Sequence, residues 1–280
     1  MDKQIIDLFI KNAVAEDLGD GDHTSLSTIP SNTKGQAKLI IKEDGILAGV
    51  ELALRIFSHI DAELVVEELI HDGTPVKYGD IALTVSGSTH SILLAERLVL
   101  NCMQRMSGIA TKTNSIVSLI SPYKTKLLDT RKTTPGLRYI EKWAVRIGGG
   151  VNHRIGLYDM ILIKDNHVDY AGGIANAINA ANAYLKANSK DLQIEIEVRN
   201  LSELSTVLST GNVNRIMLDN FEIDDLKAAV KLIDGRYITE ASGGITETNI
   251  EDYAACGVDY ISMGALTHSV KSLDMSLKAF

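Results

Sequence analysis

Residues 193–219 read QIEIEVRNLSELSTVLSTGNVNRIMLD. Ile194–Val198 alternates aliphatics with two glutamates, a helical stretch follows, and Arg215–Leu218 is a second short apolar run that ends on Asp219. Comparable runs stand at Lys126–Leu128, Met160–Ile163, Tyr237–Thr239 and Tyr260–Met263, again with helical stretches between them. This is the rhythm of βα units, which build a parallel sheet. Each run closes on polar residues: Asp129 with Arg131 and Lys132, then Lys164, Glu197, Asp219, Ser242 and Gly264. In a βα barrel such strand ends converge on the face that carries catalysis. About 160 residues are available for this part, against ~250 for a usual eight-stranded barrel. Six runs, with a seventh near Gly150, predict a short or incompletely closed barrel.

The chain ahead of these units reads as α+β. An apolar-periodic helix is expected near Ile5–Ala15 and strands at Lys38–Lys42, Leu64–Ile70 and Ile81–Val85. A long helical pattern over Ile92–Ile120, with Gly108 as its break, leads into the barrel. With 280 residues, 45% of them apolar, the chain can bury one large core or a barrel plus a smaller domain. The richest apolar stretch, Ile92–Leu100, contains Glu96 and Arg97, and no apolar run follows a basic start, so neither a membrane span nor a signal peptide is indicated. Cys102 and Cys256 lack metal-ligand or CxxC spacing and read as reduced, apolar-like residues, which fits a cytoplasmic protein.

A net charge of −8 argues against a nucleic-acid surface. The charge is uneven, however: Asp129–His167 carries seven Lys or Arg against four Asp or Glu, leaving the remainder at −11. A basic island in an acidic protein suggests a site for an anion. Arg131 and Lys132 precede a helix expected from Pro135 onward, with Leu137, Ile140, Ala144 and Ile147 on its apolar face. A guanidinium there can fork onto a carboxylate, and the helix start favours an anion. Gly148-Gly149-Gly150 then releases the chain into a loop that presents His153 and Arg154 together, and Lys164 stands at the end of its own strand. Alternation in Ile194–Val198 places Glu195 and Glu197 on one face. Glu197 and Asp219 could share a hydrated Mg²⁺, or could simply pair with the basic cluster. Ser242-Gly243-Gly244, followed by Thr246 as an N-cap, and the Gly264–Ser269 loop with His268 look suited to a phosphoryl group.

The motifs Glu16–Gly19 with Gly21–Ser25, Glu96-Arg97 with Ser107–Thr111, Asp129–Gly136, Gly148–Arg154, Ile163–His167 and Ala265–Val270 together resemble the quinolinate phosphoribosyltransferase family nearly end to end. The resemblance implies a pentosyltransferase that moves phosphoribose from phosphoribosyl diphosphate, with Mg²⁺, to the ring nitrogen of quinolinate. It releases pyrophosphate and CO2 and forms nicotinate mononucleotide for NAD synthesis. Arg131, His153 and Arg154 would then clamp the dicarboxylate. Lys132 and Lys164 would add charge facing the diphosphate, with Glu197 and Asp219 on the metal and ribose side. The implied fold is an N-terminal α/β sandwich, residues 1–110 joined by 269–280, and an open seven-stranded α/β barrel over 111–268. Members assemble as homodimers or larger homo-oligomers in which the residue matching Arg97 enters the partner's site. Other readings are a paralogous protein associated with molybdenum transport, a barrel aldolase with a Schiff base on Lys164, and a non-enzymatic anion-binding module.

Overall fold

A computed structural model, which describes residues 3–280, divides the chain into two compact units. One holds the residues up to Asn114 together with Thr133–Gly149 and Ala265–Phe280; the other holds Ser115–Lys132 and Gly150–Gly264. In chain order the first unit opens with α1 (Lys3–Leu18), α2 (His23–Thr28), β1 (Lys34–Ile41), β2 (Gly45–Ile46), α3 (Val50–Ile60), β3 (Val65–Glu68), β4 (Pro75–Val76) and β5 (Ile81–Ser88), then α4 (Thr89–Leu119). After β6 (Lys126–Leu128) of the second unit, α5 (Arg138–Ile147) belongs to the first. The second unit continues with β7 (Ile161–Ile163), α6 (Asp165–Ala171), α7 (Ile174–Ala187), β8 (Ile194–Val198), α8 (Leu201–Thr210), β9 (Arg215–Asp219), α9 (Ile223–Ile233), β10 (Ile238–Ser242), α10 (Ile250–Ala255) and β11 (Tyr260–Ser262). The chain ends in the first unit with α11 (Ala265–His268) and β12 (Met275–Ala279).

The first unit is built on an antiparallel sheet in the order β12-β1-β5-β3. Alternate residues of β1, Ala37, Leu39 and Ile41, are buried, as a sheet with one covered face requires. α4 is the spine of this unit. Ser107 Oγ accepts the amide of Ala48 at 2.8 Å and donates to its carbonyl at 3.0 Å, and Thr111 Oγ1 accepts the Ile46 amide at 2.8 Å. The helix runs unbroken through Gly108, contrary to the break expected there. Glycine serves close approach instead: a Cβ on Gly108 would fall 2.2 Å from the Lys271 carbonyl oxygen. Gly148, at the end of α5, meets the same helix, since a Cβ there would fall 2.5 Å from the Ala110 carbonyl oxygen.

One buried ion pair ties together the separate segments of the first unit. Glu141 is fully buried and accepts from Arg105 Nη2 at 2.8 Å and from the Thr134 amide at 3.0 Å. Arg105 also donates to the carbonyls of Thr267 and Val270. Its guanidinium thus ties both 133–149 and the segment after Gly264 to α4.

The second unit is a six-stranded parallel sheet in the order β6-β11-β10-β9-β8-β7, every helix connection returning the chain in the same direction. Val151 adds a parallel bridge to Leu128, which is the seventh segment expected near Gly150. Among the described residues no ladder joins Val151 to β7. Register places Glu195 beside Arg215, Met217 between Glu197 and Glu240, and Asp219 beside Ser242, all on one face of the sheet. No described helix is long and apolar enough to cross a membrane.

Gly108→Ala should cost about 1–3 kcal/mol, because a methyl cannot share the space of the Lys271 carbonyl. Urea denaturation should show a lower midpoint at unchanged m-value; an unchanged midpoint would mean the C-terminal segment does not rest on α4 in solution.

Candidate functional site

The loop after Gly150 is held by Asp129, fully buried just beyond β6. Its carboxylate accepts the His153 amide at 2.8 Å and Asn152 Nδ2 at 2.6 Å. Arg154 then turns its Nη1 onto the Met160 carbonyl at 3.1 Å. Its guanidinium is held below its ordinary pKa, first by burial and then by the positive charge of Arg131. The positive field of Arg131 thus reaches Arg154, while Glu195 and Asp159 act on it in the opposite sense. Lys132 is exposed beside them in sequence, its amide donating to Thr130 Oγ1. The helix expected from Pro135 begins only at Arg138, so Pro135 stays in the preceding turn.

Lys164, exposed at the start of α6, reaches Glu197 Oε2 on β8 at 2.8 Å. Asp219, at the end of β9, lies within the field of both. Burial, and then the neighbouring Glu197 charge, push its carboxyl above the usual range, while Asn220 Nδ2 at 2.6 Å and Lys164 pull the other way. Two carboxylates and one ammonium thus meet at the strand ends.

Deeper in the same unit is a cluster that sequence reasoning did not assign. His153 Nε2 stands 3.1 Å from Glu195 Oε2 and 3.4 Å from Glu240 Oε2, and all three side chains are buried. Arg215 Nη1 donates to Glu240 at 3.1 Å, and its guanidinium lies over the Tyr260 ring at 4.7 Å. Burial alone would drive the ionisable groups toward neutrality. For His153 the pull of the Glu195 and Glu240 carboxylates outweighs burial, and the pKa is pushed up to about 9. Glu195 is pushed up to about 7 by burial and then by Glu240, whereas His153 holds Glu240 low against its burial. The Arg154 amide points at His153 Nδ1 at 2.7 Å and works against a second proton there. Nε2 therefore carries a proton toward the carboxylates in either charge state. His153, Glu195 and Glu240 present ligating atoms within 4.8 Å of one another, but Arg215 already brings a cation against them.

The alternation of β8 was the available signal for Glu195, since it shares a face with Glu197. Glu240 was hidden because the sequence reading ended that strand at Thr239, whereas β10 runs to Ser242.

At the end of β10, the Ser242 carbonyl accepts the Asn220 amide at 2.8 Å. Gly243 has φ +90, and a Cβ on it would overlap the Asn220 side chain at 2.2 Å. Only glycine allows that approach. Gly244 is exposed and also has positive φ. Thr246 does not cap α10; Asn249 stands at the N-cap position, with its Oδ1 turned back to accept the Thr246 amide at 2.7 Å rather than capping the helix. Gly264 is the last residue of this unit. Two predicted site residues belong to the other unit: Arg97 is exposed on α4, and His268 is exposed with Nδ1 2.7 Å from Ser269 Oγ. The structure thus gathers Arg131 with Arg154, and Lys164 with Glu197 and Asp219, within the barrel.

The chain matches the family models described as quinolinate phosphoribosyl transferase, N-terminal domain, over residues 22–107, and C-terminal domain over residues 109–278. It is 49% identical to the chloroplastic nicotinate-nucleotide pyrophosphorylase [carboxylating] of Arabidopsis thaliana, covering 96% of this chain and 81% of that protein. A probable enzyme of the same name from Synechocystis is 40% identical over 98% of this chain and 92% of its own. Among solved structures, NadC from Streptococcus pyogenes superposes with a TM-score of 0.93 at 38% identity, covering 100% of this chain and 99% of that one. The nicotinate-nucleotide pyrophosphorylase of Francisella tularensis gives 0.92 at 41%, covering 100% and 98%. With both domains matched in order and relatives alike over nearly its full length, the chain belongs to the quinolinate phosphoribosyltransferase family.

Proposed function

We propose that this protein transfers the phosphoribosyl group of phosphoribosyl diphosphate to the ring nitrogen of quinolinate, releasing pyrophosphate and CO2 and forming nicotinate mononucleotide for NAD biosynthesis. The observation that carries this reading is the division of the barrel's strand ends into two charge sets in a member of this family. One set is the Arg131–Arg154 pair; the other is Lys164 with Glu197 and Asp219. Quinolinate carries adjacent carboxylates on a flat ring, and two neighbouring guanidiniums are suited to fork onto them. His153, expected to clamp the dicarboxylate as well, is buried with Nε2 turned inward to Glu195 and Glu240, so its part on that side is to hold the loop that carries Arg154.

On the other side the anomeric C–O bond breaks as the pyridine nitrogen bonds to the same carbon. Positive charge grows on the ribose and negative charge on the departing pyrophosphate. Glu197 and Asp219 face the first, and Lys132 and Lys164 the second. Once the ring nitrogen is quaternary, the adjacent carboxylate leaves as CO2 and its electron pair stays on a carbon next to positive charge. Orientation of the ring by the arginines is then what the protein contributes. No covalent nucleophile is needed, and Lys164 stands in an ion pair with Glu197 rather than in the apolar pocket a Schiff-base lysine uses.

Glu197 and Asp219 also fit Mg²⁺: both are hard oxygen donors, and the Glu197 charge that raises the Asp219 pKa would be offset by a cation. Bound there with the diphosphate, Mg²⁺ would neutralise charge on the leaving group. Ser242, Gly243, Gly244 and Gly264 are proposed for the phosphate of the ribose, supported by the positive φ values at Gly243 and Gly244 that free backbone amides for an anion. A homodimer or larger homo-oligomer is part of the proposal, with Arg97 reaching the partner's site, as is a cytoplasmic location, consistent with two free buried cysteines.

Incubation with quinolinate, phosphoribosyl diphosphate and Mg²⁺ should release CO2 and pyrophosphate in equal amounts. Absence of both from folded protein would overturn the assignment. Asp219→Asn should lower kcat/KM by roughly 10²–10³-fold while leaving thermal stability unchanged or raised, because it removes a charge that burial and Glu197 both disfavour. Mixed Arg97→Ala and Lys164→Ala proteins, each inactive alone, should regain part of the activity on subunit exchange; confirmed exchange without recovery would place the two residues in the same protomer's site.

A further inference from the structure

The geometry points to Glu195, Glu240 and Arg215 as positioning residues that aim the His153–Arg154 loop at the dicarboxylate substrate, an inference that rests on the function proposed above. Nothing in these three side chains reaches the strand-end rim where Lys164 and Glu197 pair. Glu195 and Glu240 are fully buried, and register puts Glu195 beside Arg215, two residues before the Glu197–Met217–Glu240 row. They act through His153.

The loop is held at three points. Asp129 takes the His153 amide at 2.8 Å and Asn152 at 2.6 Å, which fixes the backbone. The imidazole Nε2 is drawn inward between Glu195 and Glu240, at 3.1 and 3.4 Å, which fixes the ring plane. The remaining ring nitrogen, Nδ1, receives the Arg154 amide at 2.7 Å, which passes that orientation to the next residue. Arg154 leaves this peptide and fastens Nη1 to the Met160 carbonyl at 3.1 Å, so the direction of its guanidinium follows from how the imidazole is held.

Arg215 makes the arrangement tolerable. Two carboxylates this close in a dry interior repel, and each loses its hydration. The guanidinium 3.1 Å from Glu240, stacked on Tyr260, supplies the cation that lets both remain beside one imidazole. If the cluster served stability alone, an apolar core of the same volume would do as well or better. What an apolar core could not supply is a pair of carboxylates at ion-pair distance, 3.1 and 3.4 Å, that draws the imidazole inward.

The test uses the full-length enzyme. Glu240→Gln and Glu195→Gln keep the shape and remove the charged acceptor. Each should raise the KM for quinolinate at least tenfold, with the KM for phosphoribosyl diphosphate and the melting temperature within twofold and a few degrees of wild type. Unchanged quinolinate KM in either folded variant, or equal loss for both substrates, overturns the inference. Nitrogen-15 labelling of histidine in the wild-type enzyme decides the matter even if the variants do not fold. His153 Nε2 should be protonated between pH 6 and 8, and an Nδ1–H tautomer with bare Nε2 would overturn the proposal. Turnover by the wild-type enzyme keeps the two readings apart: failure there sinks the proposed function, whereas normal turnover with unaffected variants sinks only the positioning role.

Discussion

Two carboxylates that never reach solvent, Glu195 and Glu240, constrain the barrel more than any apolar contact does. Removing an ion from water costs several kcal/mol, so a carboxylate pair can stay buried only where cations and donors are built around it. The strands supply one, Arg215, whose register beside Glu195 brings its charge to Glu240. The loop after Gly150 supplies the other group, His153. Because that loop must deliver an imidazole to the interior, its backbone is pinned in turn by Asp129, another fully buried acid. The position of Arg154 is the outer end of this chain of requirements.

The first unit obeys a related rule with different chemistry. Its shared element is α4, and segments distant in sequence reach the helix because glycine at 108 and 148 leaves no side chain between backbones. The buried Glu141 then selects which segments belong there. Its partner Arg105 binds carbonyls of the C-terminal segment, and its second oxygen holds the Thr134 amide at the entry to α5. A charge that cannot be left alone again decides the path of the chain.

Much of this was legible in residue order. Apolar runs ending on polar residues gave the βα units and their catalytic face, and the alternation in Ile194–Val198 put Glu195 and Glu197 on the same side. Pattern could not distinguish the two glutamates, since depth along a tilted strand decides that Glu197 meets Lys164 while Glu195 meets His153. Gly108 misled for a similar reason: a glycine that breaks a helix and one that admits a neighbouring backbone look alike until the neighbour is known. The Gly21–Ser25 motif likewise carries local structure, with Asp22 accepting the Ser25 amide at 3.1 Å to cap α2. Arg215 and Glu240 gave no local signal, because an ion pair between strands depends on register across the sheet.

The same distinction separates structural from functional charge. In the buried cluster each carboxylate lies at ion-pair distance from an imidazole or a guanidinium of opposite charge. At the strand ends like charges are set together, Arg131 against Arg154 and Glu197 against Asp219. Neither pairing helps the folded state; burial and the neighbouring like charge disfavour the charged forms of Arg154 and Asp219. A ligand of the opposite sign would add to the counter-charges already there, Lys164 beside Glu197 and Asp219, and Glu195 and Asp159 near Arg154. A dicarboxylate on the arginines and a cation-bound diphosphate beside the carboxylates would relieve both at once. Paired charge inside thus holds rigid the loop on which like charge outside is displayed, and that division connects the barrel's fold to its chemistry.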